Sequence, residues 1–365
     1  MVRRKKRARR QPVTSLPEML GARIRPPAVI VLGTPSEAAD LVAALPFSDV
    51  ICYQMDLFPA GQLRRELEEF GLEARVAVAP DLWDLPADFQ TAIYLPAHGG
   101  ERQLKIDMVE QAFHVLRPQG TFLVWSPYEA DQAFPGWLKK VFGKVHTHAA
   151  EGVTAFRCQR AGDRPRRRHE VAFQAKVGNG PSLRFVSRPG VFSFGRFDDG
   201  ARALVETMKI RPGDRVLDIG CGVGTNGIFA ARRSGEAGFT AFVDSNVRAA
   251  ALAESNARAN GLTHFEAVAS ATVAGLSAEG FDVALANPPY YAYSSIAALF
   301  IERSRALLKP GGRFYLVTKQ PEQVGPLVEE VFGTSTAVLR RGYTVLSARC
   351  PSAARRRGRP TAPSE

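Results

Sequence analysis

The stretch DRVLDIGCGVGTNGIFAARRSG, Asp214 to Gly235, decides the fold. VLDI reads as a short buried strand with an acid, Asp218, at its third position. Gly220, Gly222 and Gly224 let the backbone turn sharply and approach a ligand closely, and the spacing predicts a helix starting near Thr225. The amino end of that helix favours polar or anionic ligand atoms. A second apolar strand follows in AFVDSN and ends in Asp244, where a carboxylate can accept hydrogen bonds from both hydroxyls of an adenosine ribose. The pattern implies a parallel α/β sheet that holds a nucleoside-containing ligand at the carboxyl ends of its strands.

Two ligands fit to this point. Gly222 to Gly227 is literally a GxGxxG, the nicotinamide fingerprint, and a lone match of that kind is weak. Three features favour S-adenosylmethionine instead. Asp218 precedes the glycines, as in methyltransferases that bind that molecule, where such an acid helps hold the methionine end, and a carboxylate repels a pyrophosphate. The segment FEAVASATV, Phe265 to Val273, places Ser270 near the adenine. The strand FDVALA then runs into Asn287-Pro288-Pro289-Tyr290, a motif for which a dehydrogenase has no use.

Two prolines behind an amide freeze the backbone at a strand end. The arrangement makes sense for an exocyclic amine on a base, whose lone pair is delocalised into the ring. The Asn287 side-chain oxygen and the Pro288 carbonyl can each accept one N–H, which positions the nitrogen and stabilises charge developing on it. Tyr290 can stack on the base. Guanine, adenine and a protein glutamine all present such a nitrogen, so the motif alone leaves the three open.

A similar pattern occurs twice. LKPGGRFYLVTK from Leu308, then LVEEVFG, matches LRPQGTFLVWSP from Leu116, then WLKKVFG. Both read as a helix end, a Pro-Gly turn, an apolar strand and an amphipathic helix. The offset between Leu116 and Leu308 sets Leu95-Pro96-Ala97-His98 opposite Asn287-Pro288-Pro289-Tyr290. The first copy keeps a proline and lacks the amide, and its opening strand AVIVLGTPSEAAD lacks the multiple glycines. A duplicated α/β unit is expected, with chemistry retained in the C-terminal copy.

On these residues the C-terminal half resembles a class I S-adenosylmethionine-dependent methyltransferase. More narrowly, it resembles the bacterial ribosomal RNA guanine-N2 methyltransferases, the small-subunit methyltransferase C type and its large-subunit relative. The resemblance implies two tandem Rossmann-like domains with seven-stranded mixed sheets, the N-terminal one degenerate. It also takes in PGVFSFGRFDDGARAL, Pro189 to Leu204, a segment that lies over the cofactor in the family and implies roles for Phe192, Asp198 and Gly200. The family commonly has Ser or Thr at Ala201 and Phe at Tyr290. The implied cofactor is S-adenosylmethionine, and the implied partner is ribosomal RNA or a ribosomal subunit.

Composition sets the remaining bounds. The net charge of +12 is concentrated in residues 1–10, in Arg160 to Arg168 and in Arg355 to Arg359, so the rest of the chain is slightly acidic. Such clusters bind phosphate backbones or simply solubilise a tail. The expected organisation is a basic disordered tail over 1–22, a degenerate methyltransferase-like domain over 23–158 that docks RNA or is structural, a basic linker over 159–170, a catalytic domain over 171–350 and a second basic disordered tail over 351–365. Four scattered cysteines without a CxxC pair argue against disulfides or zinc and for a reducing compartment, and the scattered histidines are not spaced as metal ligands. No apolar run approaches the ~20 residues of a membrane span, and no secretory signal is present. A cytoplasmic enzyme without a metal is expected, with a monomer favoured. The expectation from a different class is a non-catalytic RNA-binding or ribosome-assembly factor.

Overall fold

The computed structural model describes residues 12–276, 280–289 and 294–351, and the chain divides into two compact units, Met1–Glu170 and Val171–Glu365. In the first unit, β1 (Ala28–Leu32), β2 (Val50–Gln54), β3 (Arg75–Val78), β4 (Phe89–Leu95), β5 (Leu116–Ser126), β6 (His146–Ala150) and β7 (Val153–Gln159) form one sheet in the order 3-2-1-4-5-7-6. The second unit opens with an antiparallel hairpin, β8 (Val171–Ala175) and β9 (Leu183–Ser187). It continues with β10 (Arg215–Ile219), β11 (Phe239–Asp244), β12 (Phe265–Ala269), β13 (Phe281–Ala286), β14 (Leu308–Thr318), β15 (Thr336–Arg340) and β16 (Tyr343–Arg349), in the order 12-11-10-13-14-16-15. In both sheets the first five strands run parallel and the last pair antiparallel. The two seven-stranded mixed sheets expected from the repeat are therefore present.

Strand side chains alternate between faces, so a strand buried on both sides must be apolar throughout. Val216, Val283 and Leu285 enter the core on one face of the second sheet, and Leu217, Ile219, Ala284 and Ala286 enter the core on the other. The sheet order reverses at β10, which lies between β11 and β13, and a ligand crevice opens at the carboxyl ends of those strands.

Strand register aligns the two units residue by residue. Ile219 pairs with Val243 and Ala286, as Val31 pairs with Tyr53 and Tyr94. Neighbouring positions follow: Ile30 stands where the second unit has Asp218, Leu32 where it has Gly220, Gln54 where it has Asp244, and Leu95 where it has Asn287. The first unit thus lacks both acids, the glycine and the amide. Its backbone still makes the turn, since Leu32 keeps a positive φ of 58° beside the 68° of Gly220.

Two expectations need correction, and the linker gains a detail. The tail expected over 1–22 is structured from Val13, with short helical turns through Arg23 that bury Val13, Leu16 and Leu20 in the first unit's core. Those residues recur at helical spacing, a pattern masked by the basic run before them. The Pro-Gly turn at Pro310 lies inside β14, as a bulge against β13 whose backbone groups pair with Cys350, just past β16: Gly311 donates to Cys350 and Cys350 to Gly312. The basic stretch after Gln159 carries no helix or strand, and part of it packs on the first unit. Arg160 and Arg164 lie over the Phe113 ring, and Arg164 pairs with the buried Glu110 at 3.1 Å. The first eleven residues and those after Pro351 lie outside the described residues.

A buried ion pair ties the loop before β10 to β14. The Arg313 guanidinium donates to both Asp214 oxygens at 2.6 and 2.7 Å and to the Lys209 carbonyl at 2.7 Å. Removing one partner leaves the other charge buried and uncompensated. Arg313→Leu is expected to cost about 3 kcal/mol of unfolding free energy in urea titrations. A loss within about 0.5 kcal/mol, the usual scatter of surface substitutions, would show that the pair does not hold the loop.

Candidate active site

Asp218 sits on the central strand β10 with no exposed surface. Its Oδ2 accepts the Gly227 N–H at 2.7 Å, while its Oδ1 is buried and has no partner among the described residues. Burial is the main force on this carboxyl, pushing it up from 3.8 to about 7; the Gly227 hydrogen bond works against that rise and the nearby Asp244 charge adds to it. Gly227 has to be glycine, because a Cβ there would lie 2.4 Å from the Phe242 ring and 2.9 Å from Asp218 Oδ2. Gly220 is equally constrained: its φ is positive, and a Cβ would meet the Phe300 ring at 2.6 Å.

Asp244 closes the glycine turn from the neighbouring strand. Its Oδ2 accepts from the Gly222 N–H and its Oδ1 from the Asn246 N–H, both at 2.9 Å, and its carbonyl accepts from Ser270 N at 2.9 Å. Around Gly222 nothing stands within 4 Å of a built Cβ, so this part of the turn faces open space. At the end of β13, the Asn287 amide nitrogen donates to Asp198 Oδ2 at 3.2 Å. That oxygen also caps the helix Asp199–Thr207 through Ala201 N at 2.8 Å. Donation to Asp198 fixes which end of the Asn287 amide is nitrogen.

The segment ahead of that helix is fastened to the helix Val247–Ala259. Asn246 Nδ2 donates to the Gly190 carbonyl at 2.8 Å, and the fully buried Arg248 donates to the Pro189 carbonyl. Asn256 bonds both backbone groups of Val186 and, at 3.0 Å, the Val223 carbonyl in the glycine turn. One helix therefore holds both the turn and the segment bearing Phe192, Asp198 and Gly200.

The family model for the methyltransferase small domain matches residues 182–347. The C-terminal unit carries a methyltransferase small domain. The curated relatives include the ribosomal RNA small subunit methyltransferase C of Chromohalobacter salexigens, 34% identical over 164 residues, 43% of this chain and 48% of the relative. The namesake protein of Pseudomonas syringae pv. syringae is 32% identical over 192 residues, 49% of this chain and 54% of the relative. The chain spans about half the length of the curated relatives it matches. Among solved structures, the 16S rRNA N2 methyltransferase of T. thermophilus in complex with AdoMet and guanosine matches with a TM-score of 0.73 at 23% identity. That match covers 94% of this chain and 93% of the other. The fold of both units is that of a two-domain methyltransferase, and the methyltransferase family model falls on the C-terminal unit, where the sequence placed the chemistry.

Within the methyltransferase domain, the expected residues gather at the carboxyl ends of β10 to β13. Asp218, Gly222 and Asp244 belong to one hydrogen-bonded turn, and Asn287 joins Asp198. The half-buried Pro289 and the buried Pro288 follow Asn287, whereas Tyr290 lies outside the described residues. The Ser270 hydroxyl accepts from Ala274 N at 3.1 Å, so it shapes its own loop. Phe192 is exposed and Gly200 is buried in the first turn of its helix. Gly224, in the left-handed conformation, begins the helix Thr225–Ser234. Burial, with the Asp244 and Asp218 charges, holds the Cys221 thiol well above its usual range, so it is no nucleophile. Asn246, Arg248 and Asn256 were not singled out from sequence, and of these only Asn246 left a signal, as a capping residue two positions after the acid; Gly227 entered only as the last glycine of the GxGxxG match.

The Asp218 carboxyl lies above its unfolded value, so its stabilising contribution is complete below about pH 4 and is lost as pH rises through about 7. Asp218→Asn preserves an acceptor for Gly227 without the charge. Across that interval the wild type is expected to lose unfolding free energy relative to this variant. Urea titrations of both proteins over the pH range measure the difference, and a pH-independent gap would contradict a protonated buried carboxyl.

Proposed function

We propose that this chain transfers a methyl group from S-adenosylmethionine to the exocyclic 2-amino group of a guanine in ribosomal RNA. The observation that carries the reading is Asn287, oriented by Asp198 and backed by Pro288 and Pro289, at the same strand-end crevice as Asp218 and Asp244. The choice of guanine in RNA is supported by the names of the relatives and of the matching structure.

The residues present suit the cofactor. The orphaned Asp218 Oδ1 suits an ammonium group, and Asp244 at the carboxyl end of β11 suits ribose hydroxyls. When bound, S-adenosylmethionine supplies an electrophilic methyl on a sulfonium. Asn287 Oδ1 and the Pro288 carbonyl each accept one N–H of the acceptor amine, turning its lone pair out of conjugation with the ring. The two prolines keep that carbonyl aimed, and the same acceptors stabilise the positive charge that develops on nitrogen. The proton becomes acidic as the N–C bond forms and leaves to solvent without a strong base.

Two outcomes are expected. Asn287→Ala keeps cofactor affinity by calorimetry and lowers transfer of labelled methyl to ribosomal RNA by about 10²-fold or more, the scale of one lost oxyanion-type contact. Unchanged turnover in that variant, or wild-type label appearing mainly in DNA or protein, would reject the proposal. Separately, a cation at Asp218 favours its ionised form, so cofactor binding below about pH 7 releases a proton. Calorimetry at about pH 6 in buffers of different ionisation enthalpy reads that proton, and Asp218→Asn is expected to abolish it.

A further inference from the structure

The first unit has lost the cofactor positions, yet a cleft remains at the carboxyl ends of β4 and β5. Its volume is about 450 Å³, and its walls include Arg102, Lys105, Tyr128, Asp131, Phe134 and Trp137. By chain order this is where the second unit has its acceptor side, since His98 stands three residues past Leu95 as Tyr290 stands three past Asn287. The cleft is aromatic and cationic together. Arg102 lies 5.7 Å from the Trp137 ring centre and Lys105 Nζ 5.5 Å from that of Tyr128. His98 packs on Tyr128 at 4.8 Å, and Phe134 meets Trp137 edge-on at 5.2 Å, which fixes both rings. The Tyr128 hydroxyl accepts the Gly99 N–H at 2.8 Å, joining the two loops that form the walls. Asp131, the one acid in the lining, is occupied by Ser126 Oγ at 2.5 Å and Ala133 N at 2.8 Å.

We propose that this cleft binds an unstacked base of single-stranded RNA, with Tyr128 and Trp137 against the base and Arg102 and Lys105 toward its phosphates. Half-buried aromatics with nearby cations are the means by which proteins hold splayed bases without reading their sequence. The volume is that of a small-ligand pocket. A methyl cannot be transferred here, because Ile30, Leu32, Gln54 and Leu95 occupy the places of Asp218, Gly220, Asp244 and Asn287. The first unit then acts as a second grip on the RNA, and the choice of RNA as ligand rests on the function proposed above.

The test uses the full chain carrying Asn287→Ala and a labelled single-stranded oligoribonucleotide of about ten nucleotides, within the range one stacking groove spans. Tyr128→Ala is expected to weaken binding about tenfold, the loss of one base stack. Tyr128→Phe, which keeps the ring, retains affinity. Arg102→Gln, at an exposed position, lowers the salt dependence of binding. S-adenosylmethionine affinity and melting temperature should not change in the Arg102 variant. Binding unaffected by both Tyr128→Ala and Arg102→Gln, or equally tight binding of duplex RNA, would overturn the inference. Methyl transfer is scored separately in the chain with Asn287 intact. A chain that methylates ribosomal RNA without Tyr128-dependent binding defeats this inference alone. A chain that binds through Tyr128 yet labels only protein or DNA defeats the proposed substrate alone.

Discussion

A carboxylate taken entirely out of water, with one oxygen held by a backbone amide and the other left without a partner, is a costly object in a folded domain. Asp218 is such a group, and much of the second unit is arranged around it. The Gly227 N–H that satisfies Oδ2 comes from the helix launched by the glycine turn. That helix can approach because Gly227 has no side chain to strike Phe242. The turn itself is clamped from the next strand by Asp244, and the helix after that strand secures the segment carrying Asp198. A polar group that a stable core would avoid is thus the origin of a chain of contacts reaching Asn287.

The first unit shows the same sheet without that demand. With Ile30 in place of Asp218, the central strand is apolar to its end, and Leu95 fills the position of the amide. The acids of the cofactor side and the amide are both lost, while the acceptor side of the crevice carries aromatic and cationic residues. Two halves of one architecture have diverged in role. The second retains polar groups that are expensive to bury, and the first has exchanged them for packing.

Much of this was legible in the sequence because it is local. The glycine turn, Asp218, Asp244 and the Asn-Pro-Pro run all sit at strand ends marked by short apolar runs, and the repeat after Leu116 and Leu308 exposed the duplication. What escaped is long-range or hidden by composition. Asn246, Arg248 and Asn256 act on carbonyls dozens of residues earlier in the chain, and no spacing rule links a polar residue on a helix to a backbone group so distant. Val13, Leu16 and Leu20 were overlooked because seven basic residues precede them. The Pro-Gly pair at Pro310 carries the residue signature of a turn, and only its neighbours in the sheet, β13 and the residue after β16, make it a bulge.

Leu32 holds its backbone in a conformation that its side chain does not call for. A leucine in the left-handed region is held at a cost of about 1–2 kcal/mol, and nothing about a leucine asks for that conformation. The conformation is the one Gly220 adopts for a reason, close approach to a ring and a ligand turn. The shape of that corner is therefore set by the strands on either side of it, and not by the side chain that occupies it. A backbone held by its neighbours keeps one angle through two very different residues, so the correspondence of the two units can be read from a single strained angle as well as from the strand order.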